Sequence, residues 1–279
     1  MSYKSIATIL HDSESPRFAL EMAISFARKT GAHLHVLCIG VDDTDPGYYY
    51  AGAQAIAVQQ NFEVAQGIAG ELEGIARARL AAEDFVWDVQ NVTTLPGGLD
   101  PFLTDSMRFF DLIVLPAPYQ NASNRTDTHI FEACLFGADR PILVVPEGAK
   151  TDAQFEKLII GWDDGTPAMN AARAAIPLIA SSKNVEITVI DPSVHAPDRS
   201  DPGGRIAAYL ARFGSRVDVA VFARSQPSIA NQLLMRAKES GADLMIMGAY
   251  GHSPMREAIL GGATRDMLRA TRMPVFMAH

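Results

Sequence analysis

The 279-residue chain is long for one domain, and at roughly 100–200 residues per domain it predicts two. With 48% hydrophobic and 20% charged residues it is globular and able to bury substantial cores, and its formal charge of −8 argues against whole-protein attraction to nucleic acid or anionic membranes. No apolar run approaches the roughly 18–20 residues needed to span a bilayer, and Met1-Ser2-Tyr3-Lys4-Ser5 lacks the features of a signal peptide, so a cytoplasmic protein is expected.

Lys4 to Leu10 is an apolar, strand-like run, and a helical pattern follows from Ser15 to Thr30, with Pro16 in its first turn and Gly31 as its stop. Leu34 to Ile39 is too short for a helix and predicts a buried strand. After a loop containing Tyr48-Tyr49-Tyr50, the Ala-rich stretch Gln54 to Glu83 predicts a helix, interrupted near Gly67 and Gly70. A strand (Phe85 to Val92), a helix (Gly98 to Phe109), a strand (Asp111 to Leu115) and a helix (Thr128 to Ala138) follow. Pro141 to Pro146 is a strand bracketed by prolines, which suits a sheet edge. Cys38 and Cys134 sit singly in apolar runs and are expected to be core thiols.

Glu147 to Glu156 is polar and reads as a linker, after which the pattern starts again. Lys157 to Trp162 answers Lys4 to Ile9, and Asp163-Asp164 answers His11-Asp12. A helix (Ala168 to Ala180), strand (Val185 to Ile190), short helix (Gly204 to Phe213), strand (Val217 to Phe222), helix (Ser228 to Ser240) and strand (Asp243 to Met247) follow, and Pro274 to Ala278 is the last strand. Asp111 to Leu115 registers with Asp243 to Met247, and Arg140 to Val144 with Met273 to Met277, which indicates an internal duplication. Strands alternating with helices predict an α/β fold of two tandem doubly wound domains, residues 1–147 and 156–279, each a parallel sheet covered on both faces.

One stretch carries chemistry. Gly248-Ala249-Tyr250-Gly251, then Gly261-Gly262-Ala263-Thr264 after a nine-residue spacer, links an apolar strand to a helix running to Thr271. Glycines there let an anion approach the backbone, and the helix start supplies free N–H donors. The alternative is a tight turn with a close packing contact.

In the Ala-Asp-Leu-Met-Ile-Met-Gly lead from Ala242, the Gly-x2-Gly-x9-Gly spacing at Gly248, Gly251 and Gly261, the acidic loop after the first strand and the final Pro-Val run, the chain resembles the universal stress protein family in its tandem form. That resemblance implies five-stranded parallel sheets of order 3-2-1-4-5 and a crevice between strands one and four that holds an adenine nucleotide, ATP or another, with magnesium as its companion ion. It further implies base or ribose contacts at Asp163 or Asp164 and at Asp191, and phosphate contacts at Gly248, Gly251, Gly261, Gly262, Ala263 and Thr264, with His252 in the same loop. Gly262 stands where the family has Ser or Thr, so one hydroxyl donor is missing. In the first half Pro116, Tyr119 and His129 or a neighbour replace the three glycines, so only the second half is expected to bind. Pairing through the last strands is the family's route to a homodimer, and the duplication can satisfy it within one chain.

His11-Asp12 reads as a turn or cap in preference to an acid-base pair, and Arg265, Arg269 and Arg272 as a solvated helix face. No nucleophile elbow, Walker-type lysine or metal-ligand cluster is present, and the only basic residue between Gly248 and Thr264 is Arg256. The sequence therefore points to a stress-linked regulatory or sensor protein, with a protein partner but neither nucleic acid nor membrane, ahead of a dedicated enzyme. A nucleotide-free interaction platform and a slow ATPase, the latter drawn from Thr264, Ser253 and His252, are the competing readings.

Overall fold

A computed structural model describes residues 2–12, 17–42, 54–120, 125–192, 200–249 and 262–279. The first half gives β1 (Ser5–Leu10), α1 (Phe18–Thr30), β2 (His33–Val41), α2 (Gln54–Leu80), β3 (Trp87–Thr94), α3 (Pro96–Met107), β4 (Leu112–Pro116), α4 (Arg125–Glu132) running into a π-helical turn (Ala133–Gly137), and β5 (Ile142–Val145). The second gives β6 (Lys157–Trp162), α5 (Thr166–Ala174), α6 (Ile176–Ser181), β7 (Asn184–Ile190), α7 (Gly204–Leu210) with a 3-10 turn (Ala211–Phe213), β8 (Arg216–Phe222), α8 (Ile229–Ser240), β9 (Leu244–Gly248), α9 (Gly262–Ala270) and β10 (Val275–Ala278).

All ten strands form one sheet of order β3-β2-β1-β4-β5-β10-β9-β6-β7-β8. Pairing is parallel within each half and antiparallel only between β5 and β10, where Val144 faces Val275 and Ile142 faces Met277. The prolines at 141 and 146 therefore flank a strand at the centre of the sheet. They lie just outside β5, so neither removes a donor from its ladder, and the expected edge is a seam.

The duplication is repeated at the level of single hydrogen bonds. Asp111 Oδ2 accepts from the N–H groups of Lys4 and Ser5 at 2.7 and 3.0 Å, and the Asp243 carboxylate accepts from Glu156 and Lys157 at 2.7 and 3.1 Å. Ser5 thus corresponds to Lys157, and Ile6 pairs with Leu112 as Leu158 pairs with Leu244. The strand match expected from the sequence moves by one residue, from Lys4 to Ser5. His11 then stands opposite Asp163, and Asp12 opposite Asp164.

Because the central strands are apolar on both faces, each face of the sheet carries its own core, and both cores run through the seam. On one face α1, α2, α5, α6 and α7 pack together, with Phe26 6.0 Å from Phe155 and the Tyr3 hydroxyl donating to Ala174 O at 2.8 Å. On the other, α3, α4, α8 and α9 contribute Leu103, Phe131, Leu233 and Leu268. Cys38 and Cys134 are buried, and burial pushes the Cys38 thiol up to about 12.

Two helix expectations change. Helix 168–180 breaks into α5 and α6 at Pro177, which has no N–H to continue the ladder. Conversely α2 runs unbroken for 27 residues, because Ala65, Ala69, Leu72, Ala76 and Leu80 are buried on one side of it while Gly67 and Gly70 lie exposed on the other. Among the described residues no helix is long and apolar enough to cross a membrane.

The helix layer over β2 and β3 is fastened by ions: Glu83 of the turn after α2 accepts from Arg28 and Arg79, and Arg79 also engages Glu21 in bidentate fashion at 2.6 Å. Hydrogen bonds from Arg28 lead in holding the Glu83 carboxyl below its ordinary range, against the opposing effect of burial.

Two outcomes follow from this architecture. Phe276, fully buried on β10, belongs to the core that crosses the seam, so Phe276→Ala should cost about 3–5 kcal/mol and destabilise both halves. Single-tryptophan variants retaining Trp87 or Trp162 would report equal urea midpoints for the two halves; separated midpoints would show that the seam does not couple them. For Glu83, a carboxyl whose pKa is depressed by folding adds stability that is present above its ordinary pKa and lost as pH falls through the folded value. Glu83→Gln should therefore flatten the stability profile below about pH 4.5 in denaturation curves and leave its shape near neutrality unchanged.

Candidate functional site

In an open parallel sheet, ligands bind beyond the carboxyl ends of the strands where strand order reverses. The second half reverses at β6, which lies between β7 and β9. Trp162 closes β6 in the core, and the exposed Asp163 and Asp164 follow. Asp163 Oδ1 accepts from Gly165 N at 2.9 Å, turning the chain into α5 through Thr166 and Pro167, and Asp164 adopts a left-handed φ of 62°. At the end of β7, Asp191 (φ 46°) accepts from Arg224 N at 2.9 Å, which ties the carboxyl ends of β7 and β8.

Gly248 ends β9 with no room for a side chain: a Cβ there would stand 2.4 Å from Ala168 N and 2.6 Å from Pro167 C. This glycine lets α5 lie against the strand, so the packing reading holds at position 248. It also draws the Asp163–Ala168 turn to the same sheet end. Gly262 and Ala263 open α9, with Thr264 buried beneath them; Gly262 is exposed, and a Cβ added to it meets nothing within 4 Å. The first turn of α9 carries no acidic residue. Gly251, His252, Ser253, Arg256 and Gly261 lie outside the described residues, as does the Tyr48-Tyr49-Tyr50 loop. Among the described residues no group of three or more His, Cys, Asp or Glu is placed to hold a metal ion.

The corresponding end of the first half is filled from within. His11 Nε2 stands 2.6 Å from Asp127 Oδ1 in the first turn of α4, their side chains 7% and 11% exposed. A carboxylate at a helix start satisfies the dipole that a phosphate would otherwise meet. His11, expected as a turn or cap residue, is therefore one member of a buried pair, and its partner 116 residues away left no signal in the sequence.

Tyr119 (φ 68°) reaches across the seam. Its ring lies 5.6 Å from the Arg265 guanidinium carbon and 5.8 Å from that of Arg269, and Gln120 Nε2 donates to Thr271 O at 2.8 Å. Arg265, expected on a solvated helix face, is half-buried against the other half, whereas Arg269, beside the same ring, and Arg272 are exposed as expected. The Tyr119 hydroxyl is 3.5 Å from Glu132 Oε1, and burial pushes the Glu132 carboxyl up. His129 is exposed. Sequence reasoning also missed His33 and His35, which share the Asp88 carboxylate at 2.9 and 2.8 Å; the spacing His-x-His on a strand was the available signal.

No protein-family model matches the chain. A universal stress protein of Synechocystis sp. is 25% identical over 179 residues, 62% of this chain and 59% of that relative's length. The chain is a relative of the universal stress proteins. The fold agrees: a universal stress protein from Archaeoglobus fulgidus superimposes with a TM-score of 0.70 at 15% identity, across 98% of this chain and 95% of that one. A putative universal stress protein from Pseudomonas aeruginosa does so with 0.61 at 14% identity, across 99% and 93%. Near-complete coverage of single chains extends the likeness in fold over both halves and the seam.

The contacts of Tyr119 predict a measurable cross-seam contribution. With each cation–π contact worth about 0.5–1 kcal/mol, Tyr119→Ala should cost about 1–2 kcal/mol in urea denaturation, whereas Tyr119→Phe keeps the ring and should cost less than half of that. Equal losses in the two variants would transfer the role from the ring to the hydroxyl.

Proposed function

We propose that this relative of the universal stress proteins is a cytoplasmic, stress-linked regulatory protein built of two tandem domains, residues 1–147 and 156–279, of which only the second binds an adenine nucleotide. The contrast between the two switch points supports the reading most directly. In the first half Asp127 fills the helix start, while in the second α9 begins with the exposed Gly262 and has no carboxylate in its first turn. Asp163 or Asp164 and the turn at Asp191 would border adenosine. The backbone N–H groups of Gly262, Ala263 and Thr264, together with Gly248, Gly251, His252 and Gly261, would form the phosphate end. Magnesium would be carried by the nucleotide's own phosphates. Arg265 is occupied by Tyr119, and the loop residues include no lysine, so the site suits retention of a nucleotide better than transfer of its phosphate.

Calorimetric titration with ATP, ADP and AMP tests the reading. Binding of one nucleotide per chain is expected, lost in Gly251→Val. Gly262→Ser restores a hydroxyl where a Cβ meets no obstruction and should tighten binding about 2- to 10-fold, the equivalent of one hydrogen bond of about 0.5–1.5 kcal/mol. No heat with any nucleotide, or unchanged affinity in Gly251→Val, would overturn it.

A further inference from the structure

His279, which follows β10, joins three parts of the molecule at the carboxyl end of β9. Its Nδ1–H donates to Ala249 O at 3.0 Å, where the chain leaves that strand, and His279 O accepts from Asn170 Nδ2 of α5 at 2.9 Å. Across the seam, Phe136 of the first half meets the imidazole edge-on, with 5.0 Å between ring centroids and 81° between planes. Both rings are half-buried.

The first half has no equivalent of this arrangement. Ala117 N donates to Val145 O as Ala249 N donates to Ala278 O, so Pro146 occupies the place of His279 and has no side-chain donor to offer the Ala117 carbonyl. The helix ends differ as well. Ala138 N reaches back five residues to Ala133 O and closes the π-helical turn, whereas Thr271 N, at the same place after α9, reaches back four to Met267 O. Gly137 lets the wider turn close, because a Cβ there would collide with Thr104 Oγ1 of α3. The turn that carries Phe136 is thus particular to the first half, and it abuts the half that bears the glycines.

A carbonyl held from one side fixes its peptide plane, and with it the direction in which the chain leaves the strand. Gly248 is already set by its packing on α5, and Asn170 of the same helix holds His279. The imidazole adds the constraint at the next residue, Ala249. We propose that His279 is a positioning residue for the nucleotide site of the second half, and that Phe136, by holding the imidazole, makes the first half a determinant of that site's affinity. This inference rests on the nucleotide reading above.

Calorimetric titration of the full chain with ATP tests it in four variants. His279→Ala should weaken binding about 3- to 10-fold, one hydrogen bond's worth, and His279→Asn, which keeps a donor at the same distance along the side chain, should restore most of the loss. Phe136→Ala should weaken binding about 2- to 5-fold, and the double variant Phe136→Ala/His279→Ala should be no weaker than His279→Ala alone, because Phe136 acts through the ring that is gone. The coupling is reciprocal, so ATP should slow amide exchange at Ala138 in the wild-type chain and leave it unchanged in His279→Ala. Urea midpoints establish that each variant is folded, and the two His279 variants carry the test should Phe136→Ala fail to fold. Wild-type binding with unchanged affinity in His279→Ala, or with Asn no better than Ala, overturns this inference alone; strictly additive losses in the double variant overturn the part assigned to Phe136. No heat with the wild-type chain removes the nucleotide reading and this inference together.

Discussion

The antiparallel pairing of β5 with β10 is the constraint on which the rest of the molecule depends. A parallel five-stranded sheet has two raw edges, and an apolar strand with unpaired N–H and C=O groups is a liability in water. Joining the last strands removes one edge from each half, keeps Val144 and Val275 away from solvent, and lets each core continue across the junction. Phe26 against Phe155 on one face, and Tyr119 beneath Arg265 and Arg269 on the other, are consequences of that strand pairing.

Within this frame the two halves keep what holds a strand in place and differ in what a ligand would touch. Asp111 and Asp243 clamp the starts of β1 and β6 with the same pair of backbone bonds. At the opposite ends, His11 replaces Asp163, Pro116 replaces Gly248, and the start of α4 holds its own carboxylate. Gly248 serves packing: the missing Cβ admits α5, which draws the Asp163–Ala168 turn to the end of β9.

Much of this was legible in the sequence, because apolar runs of this length between glycine and proline punctuation are too short for helices, and ten strands were placed. Their alternation with helical segments gave the fold class, and the Asp-led runs at 111 and 243 gave the repeat. What escaped depends on partners distant along the chain. Nothing local distinguishes a proline-bracketed edge from a proline-bracketed seam, and Lys4 resembles Lys157 although Ser5 accepts from Asp111 N as Lys157 accepts from Asp243 N. The continuity of α2 through Gly67 and Gly70 came from burial of its other side, which outweighs local propensity. Of the candidate site, Asp163, Asp164, Asp191, Gly248 and the start of α9 could be placed from pattern; Asp127 and Tyr119 could not, since their meaning lies in His11 and in α9.

The single antiparallel junction also gives the molecule two poles. Strands of the first half end at one rim of the sheet and those of the second at the other, so the sealed His11–Asp127 rim and the glycine-bearing rim face away from each other. A partner or surface laid against one rim is screened from the other by the full height of the sheet. One rim can therefore be remodelled, blocked or tethered without steric consequence for its opposite, and the molecule can present two unrelated ends to its surroundings.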